Sequence, residues 1–182
     1  MQSSALSVLA LILLACAGAT AEPPATAPAT QPAISIETYF SPQDEIAPII
    51  VRLIDATEKS LDIAAFTFSH REITLAIIRA HERGVKIRFV MDYTQSRLIT
   101  CRAIDLIEAG IEVRTRRRRG FQHNKYIVFD GEVVLTGSYN FSATADARNT
   151  ENVLVIRNAP QIVSAFVQNH DSILADTLKK EK

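Results

Sequence analysis

Between Lys125 and Thr136 the chain carries two β-prone runs, Lys-Tyr-Ile-Val-Phe and Glu-Val-Val-Leu-Thr, joined by Asp130-Gly131. Asp-Gly between two such runs signals a tight turn, so the pair reads as an antiparallel hairpin. This hairpin constrains the fold most, because the residues before it read as strands alternating with helices. The strands are Ile34–Phe40, Leu61–Phe68, Val85–Met91 and Ile111–Thr115. The intervening helices begin after Ser41-Pro42, with Ile46, Ile49, Ile50, Leu53 and Ile54 at helical spacing, and then cover His70–Arg83 and Ile99–Ala109. A strand over Asn152–Arg157 and a helix from Pro160 to about Leu178 close the chain. The hairpin and the strand–helix alternation together imply the α/β class, an α/β/α sandwich around one mixed β-sheet.

The chemistry concentrates at one end of the hairpin. His123 and Lys125 are two residues apart, so they project from the same strand face. The hairpin returns Ser138 and Asn140 to that end. A nucleophilic imidazole, a cation, a hydroxyl and an amide then share one small site, as attack on a phosphodiester requires. Asp130 has the opposite strand parity and reads as structural, holding the turn. Gly137 reads as a point of close backbone approach.

The pattern H-x-K-x4-D-x6-G-S-x-N over His123, Lys125, Asp130, Gly137, Ser138 and Asn140, with Glu151 eleven residues later, resembles the HKD motif of the phospholipase D superfamily. Within it, the chain resembles the small bacterial endonucleases that carry one motif per chain. The resemblance implies that His123 attacks phosphorus to form a phosphohistidine. It implies that Glu151 fixes the imidazole tautomer and that Lys125 and Asn140 bind the phosphoryl oxygens. Ser138 either donates to the phosphate, supports these groups from behind, or is simply a turn serine. A second group must protonate the leaving oxygen. With one motif per chain, the resemblance implies a homodimer that brings two copies of His123 together across a two-fold axis. It implies no metal and no cofactor.

The 20 basic and 20 acidic residues cancel, so net charge identifies no partner, but distribution does. Arg114, Arg116, Arg117, Arg118 and Arg119 crowd into six positions just before His123 and read as a basic loop beside the site. Such a loop attracts a polyanion through its backbone, with little sequence preference. The functional reading is therefore a non-specific endonuclease cleaving DNA or RNA. The alternatives are a phospholipase D acting on phospholipid headgroups, which the same loop could meet, and a non-catalytic nucleic-acid-binding module. His70, His81 and His170 read as helix-end or helix-surface residues, and Cys101 as a buried or half-buried helix residue.

Residues 1–21 read as a signal peptide cleaved after Ala21, with an apolar stretch from Leu6 to Ala17. An uncleaved membrane anchor and a lipoprotein processed at Cys16 are the other readings. Residues 22–33, EPPATAPATQPA, read as a Pro/Ala/Thr-rich linker, and residues 34–182 as the catalytic domain. The expected location is periplasmic or secreted, away from the membrane once the leader is removed.

Overall fold

The structure is a computed structural model; it describes residues 32–117 and 120–177. The leader with its cleavage site and Cys16, nearly all of the linker, and Arg118 and Arg119 lie outside the described residues. The elements are β1 (Ser35–Ser41), α1 (Ile46–Asp55), β2 (Ser60–Ala65), α2 (Arg71–Glu82), β3 (Lys86–Asp92), α3 (Tyr93–Ser96) and α4 (Ala103–Glu108), followed by β4 (Val113–Arg116), β5 (Tyr126–Phe129), β6 (Val133–Gly137), α5 (Ala143–Ala147), β7 (Glu151–Arg157) and α6 (Pro160–Thr177).

The strands form one seven-stranded sheet in the order β1-β7-β6-β5-β2-β3-β4. β2, β3 and β4 run parallel. β5 turns back antiparallel to β2, and β6, β7 and β1 continue antiparallel. The expected mixed sheet is thus present, and the hairpin is where its direction changes. Asp130 and Gly131 both take positive φ, 54° and 68°, as a mirror-image hairpin turn needs.

Alternation along the strands assigns the two faces. Ile63, Phe89, Ile127, Phe129, Leu135, Val153 and Val155 meet Ile46, Ile50 and Ile54 of α1, Ile73 and Ile77 of α2 and Leu106 of α4 in one apolar core. Tyr126, Val128, Val134 and Ile156 point the other way and are covered by α6 through Val163, Phe166, Val167 and Ile173. Each face buries its own apolar stripe, which is the condition for a three-layer sandwich.

Three local expectations are corrected. The run read as a helix over Ile99–Ala109 is helical only over Ala103–Glu108, and a separate short helix precedes it. Asp92 caps the short α3 by accepting from the Thr94 and Gln95 amides, and α4 begins only at Ala103, after Arg102 N–H donates to the Phe68 carbonyl. Cys101 therefore lies half-buried in a connection, not in a helix. β2 ends at Ala65, so Phe66 and Phe68 leave the expected strand. His170 is not on a helix surface but fully buried on α6, with Nδ1 3.4 Å from the Tyr126 hydroxyl. Beside it lies the ion pair of Arg88 with Asp62 and Asp171.

Asp130 sits where β5 ends, and its carboxylate accepts from the amides of Glu58, Lys59 and Ser60 at 3.1, 2.6 and 2.9 Å. Burial pushes its pKa up, but these three amides outweigh it and hold the pKa below the ordinary carboxylate value. The group thus ties the hairpin to the entrance of β2. Hydrogen bonds to a charged group are worth about 1.5–3 kcal/mol. Asp130→Ala should therefore lower stability by about 2–3 kcal/mol in urea titration, and the wild-type contribution should vanish as pH falls below the ordinary Asp value.

Burial, opposed by Asp62, holds the His170 pKa below the usual imidazole value. The unfolded chain then binds a proton that the folded chain resists, so stability is lost as pH falls through about 6.5. The urea midpoint should drop between pH 7.5 and 5.5, and drop less in His170→Asn.

Candidate active site

The site lies beyond the carboxyl ends of the parallel strands β2 and β3, the crevice that open α/β sheets use for ligands. β5 and β7 begin at this end and β6 finishes there. Lys125 immediately precedes β5 and shares the parity of Ile127. Glu151 opens β7 and shares the parity of Val153. Both therefore face the α1–α2 side of the sheet.

His123 is exposed, and its ring packs on Phe66 with centroids 4.4 Å apart. Lys125 is only 9 % exposed. Its Nζ donates to the His123 carbonyl at 2.8 Å and lies 3.2 Å from His123 Nδ1 and 5.2 Å from the Phe66 ring centre. Burial lowers its pKa, and the negative charge of Glu151 opposes that. An ammonium can only donate, so with Lys125 charged Nδ1 is the acceptor and a neutral ring carries its proton on Nε2. Two of the three ammonium hydrogens are engaged here, which leaves one for a phosphoryl oxygen.

Glu151 is buried, but it does not hold the imidazole as expected. Its carboxylate accepts from Ser138 Oγ at 2.5 Å and from Asn149 Nδ2 at 2.8 Å. Its backbone N–H donates to Ser41 Oγ at 3.1 Å. The register explains this: Ser138 directly follows β6, beside the first residues of β7. Ser138 Oγ also accepts from the Asn152 amide at 3.0 Å. Its single O–H goes to Glu151, so the serine supports the carboxylate from behind. Asn140 lies two residues further on, and its Oδ1 is buried with no hydrogen-bond partner among the described residues.

Gly137 allows this arrangement. A Cβ placed on it would stand 2.1 Å from the Asn152 carbonyl oxygen and 2.9 Å from Val153 Cα. No side chain fits between β6 and β7 at this point.

Several positioning groups carry no signal in the pattern. Phe66 forms the wall under His123 and Lys125, yet in the sequence it is one more apolar residue of a buried run. Asp92 is buried, and its second carboxylate oxygen accepts from the Gln122 amide at 3.0 Å, fixing the backbone just before His123. Gln122 is 2 % exposed; its Oε1 accepts from the amide and the side chain of Asn124. Asp92 is the last residue of β3, at the end of the sheet that carries the site.

The arginine cluster is not one loop. Arg114 and Arg116 belong to β4. Arg114 pairs with Glu112 at 2.9 Å, and Arg116 lies 3.8 Å from Asp176 of α6. Arg117 packs over the Tyr93 ring at 4.8 Å. Arg116 and Arg117 line a groove of about 270 Å³ with Asp92, Tyr93, Thr94, Gly120 and Phe121. Among the described residues, no group of three or more His, Cys, Asp or Glu side chains could hold a metal ion, and no helix is long and apolar enough to cross a membrane.

Residues 50–174 match the family model described as cardiolipin synthase, PLD-like domain. The chain belongs to the phospholipase D superfamily. It is 36 % identical over 134 residues to the phospholipase D of Rickettsia conorii, covering 74 % of this chain and 66 % of that protein. It is 33 % identical over 124 residues to the mitochondrial cardiolipin hydrolase of Xenopus tropicalis, covering 68 % and 59 %. The chain thus spans about two thirds or less of the curated relatives it matches. The crystal structure of Nuc, a phospholipase D family member from Salmonella typhimurium, superposes with a TM-score of 0.73 at 28 % identity, covering 79 % of this chain and 96 % of that one. The phospholipase D-like domain thus accounts for nearly all of Nuc, and the sheet described above is its fold.

Gly137→Ala would force β6 and β7 apart beside Ser138 and Glu151. Overpacking of this kind costs about 1–3 kcal/mol. Thermal unfolding should shift down accordingly, and turnover should fall further than the stability loss alone explains, because the Ser138–Glu151 contact opens.

Proposed function

We propose that this chain is a phosphodiesterase of the phospholipase D type, an endonuclease that cleaves DNA or RNA without metal through a phosphohistidine on His123. The observation that carries the reading is the His123–Lys125 pair on Phe66, an exposed imidazole against a nearly buried ammonium at the carboxyl ends of β2 and β3. The preference for nucleic acid rests on the groove beside it, lined by Arg116 and Arg117. The catalytic domain acts as an exported homodimer.

The chemistry follows from the donors. A phosphodiester entering the site draws the Lys125 ammonium off Nδ1 and onto a phosphoryl oxygen. Nδ1 can then take the ring proton, and the Nε2 lone pair is free to attack phosphorus. As the N–P bond forms, the bond from phosphorus to the leaving oxygen breaks. That oxygen takes a proton from Nε2 of the protonated His123 of the partner subunit, which is left as the neutral imidazole. Water then gives a proton to the same partner imidazole and attacks phosphorus, releasing His123. Asn140 contributes an amide to the phosphoryl oxygens, and Glu151, held by Ser138 and Asn149, balances the charge of Lys125.

A second reading is a lipid phosphodiesterase using the same residues. It is favoured by the likeness to the Rickettsia phospholipase D and the Xenopus cardiolipin hydrolase and by exposed Leu98 and Ile99.

The purified protein should nick plasmid DNA in excess EDTA, and His123→Ala should abolish this. Lys125→Ala should cost about 10²–10³ in rate, as for other oxyanion donors. Sedimentation should give a dimer. A folded dimer that leaves plasmid and RNA intact but releases headgroups from phospholipid vesicles would replace the nuclease reading with the lipid one.

A further inference from the structure

Phe121 is 63 % exposed, two residues before the nucleophile. Its ring makes a T-shaped contact with Phe66 at 5.7 Å, and Phe66 in turn packs against His123 at 4.4 Å. The three rings form a short ladder running outward from the attacking imidazole. Sharing Phe66 as a neighbour puts the Phe121 ring within about 10 Å of the attacking imidazole, the reach of a neighbouring nucleotide. The contact with Phe66 fixes the Phe121 ring while most of its surface stays open. Phe121 also lines the 270 Å³ groove, together with Tyr93, Arg116 and Arg117. Arg116 and Arg117 bring two guanidinium groups to the groove, Arg116 with Asp176 3.8 Å away. Asp92, its buried carboxylate, is already engaged by the amides of Thr94, Gln95 and Gln122.

An open aromatic face beside a cationic groove is how single-stranded nucleic acid is bound without sequence preference. A base inside a duplex offers no free face without first being unpaired and unstacked, which costs a few kcal/mol. We propose that Phe121 and the groove behind it form a subsite for one unpaired nucleobase next to the scissile phosphate, which makes the enzyme selective for single-stranded over double-stranded nucleic acid. The proposal rests on the nuclease reading and adds the strandedness of its substrate.

The test uses the full chain, vesicles of anionic phospholipid as the lipid control, and three substrates: a labelled oligothymidylate, the same strand annealed to its complement, and bis(p-nitrophenyl) phosphate, which has no nucleobase. Wild type should cleave the single strand with the higher kcat/KM. Loss of one stacked base corresponds to about 5- to 150-fold. In Phe121→Ala the ratio of kcat/KM on oligothymidylate to that on the chromogenic diester should fall by that factor, mainly through KM, and Phe121→Trp should restore it. Several results would overturn the subsite. These are an equal loss on all three substrates, a loss explained by dissociation of the dimer in sedimentation, equal wild-type rates on single and double strands, and a defect confined to vesicles of anionic phospholipid. Wild type inert on both nucleic acids but active on vesicles would instead remove the nuclease reading itself.

Discussion

The close approach of β6 and β7 at Gly137 is the contact on which the rest of the site depends. A Cβ there would lie 2.1 Å from a backbone oxygen, so the two strands run side by side only because the position is bare. That approach lets Ser138 reach Glu151 across the ladder. It sets a negative charge close enough to Lys125 to oppose the burial that lowers its pKa. A nearly buried ammonium with no anion nearby would tend to shed its proton. Glu151 counteracts that tendency, and a charged donor in a poorly hydrated pocket is worth more to a developing oxyanion than one in water.

Much of this was legible in the sequence. The mixed sheet and its two helical layers follow from hydrophobic period, and the turn at Asp130-Gly131 from residue types that accept positive φ. The motif spacing placed His123, Lys125, Ser138 and Glu151 at one end of the sheet. The assignment of Asp130 to structure came from parity alone, and its carboxylate is bound by three amides 70 to 72 residues away in sequence.

What was not legible depends on contacts between segments distant in sequence. Phe66 reads as core because nothing local says that β2 stops at Ala65. The link from Asp92 to Gln122 joins residues 30 apart. His170 looks like an ordinary polar helix residue until α6 is laid on Tyr126. Arg114 and Arg116 look like a loop because a run of arginines hides the two-residue alternation of β4. Glu151 was expected on the imidazole, but within this chain its carboxylate is held by Ser138, just after β6, and Asn149, just before β7.

The three letters of the motif do not act in one place. His123 and Lys125 work at one end of β5, while Asp130 fastens the other end to the approach to β2. Five residue steps separate Lys125 from Asp130, roughly 17 Å of extended chain. The four residues between them are therefore a ruler cut to the depth of the sheet. Adding or deleting one residue would change the length and also invert the strand's parity, turning the ammonium into the α6 core. The invariance expected of that interval is mechanical, and it would persist on this scaffold even if the chemistry at its end were exchanged.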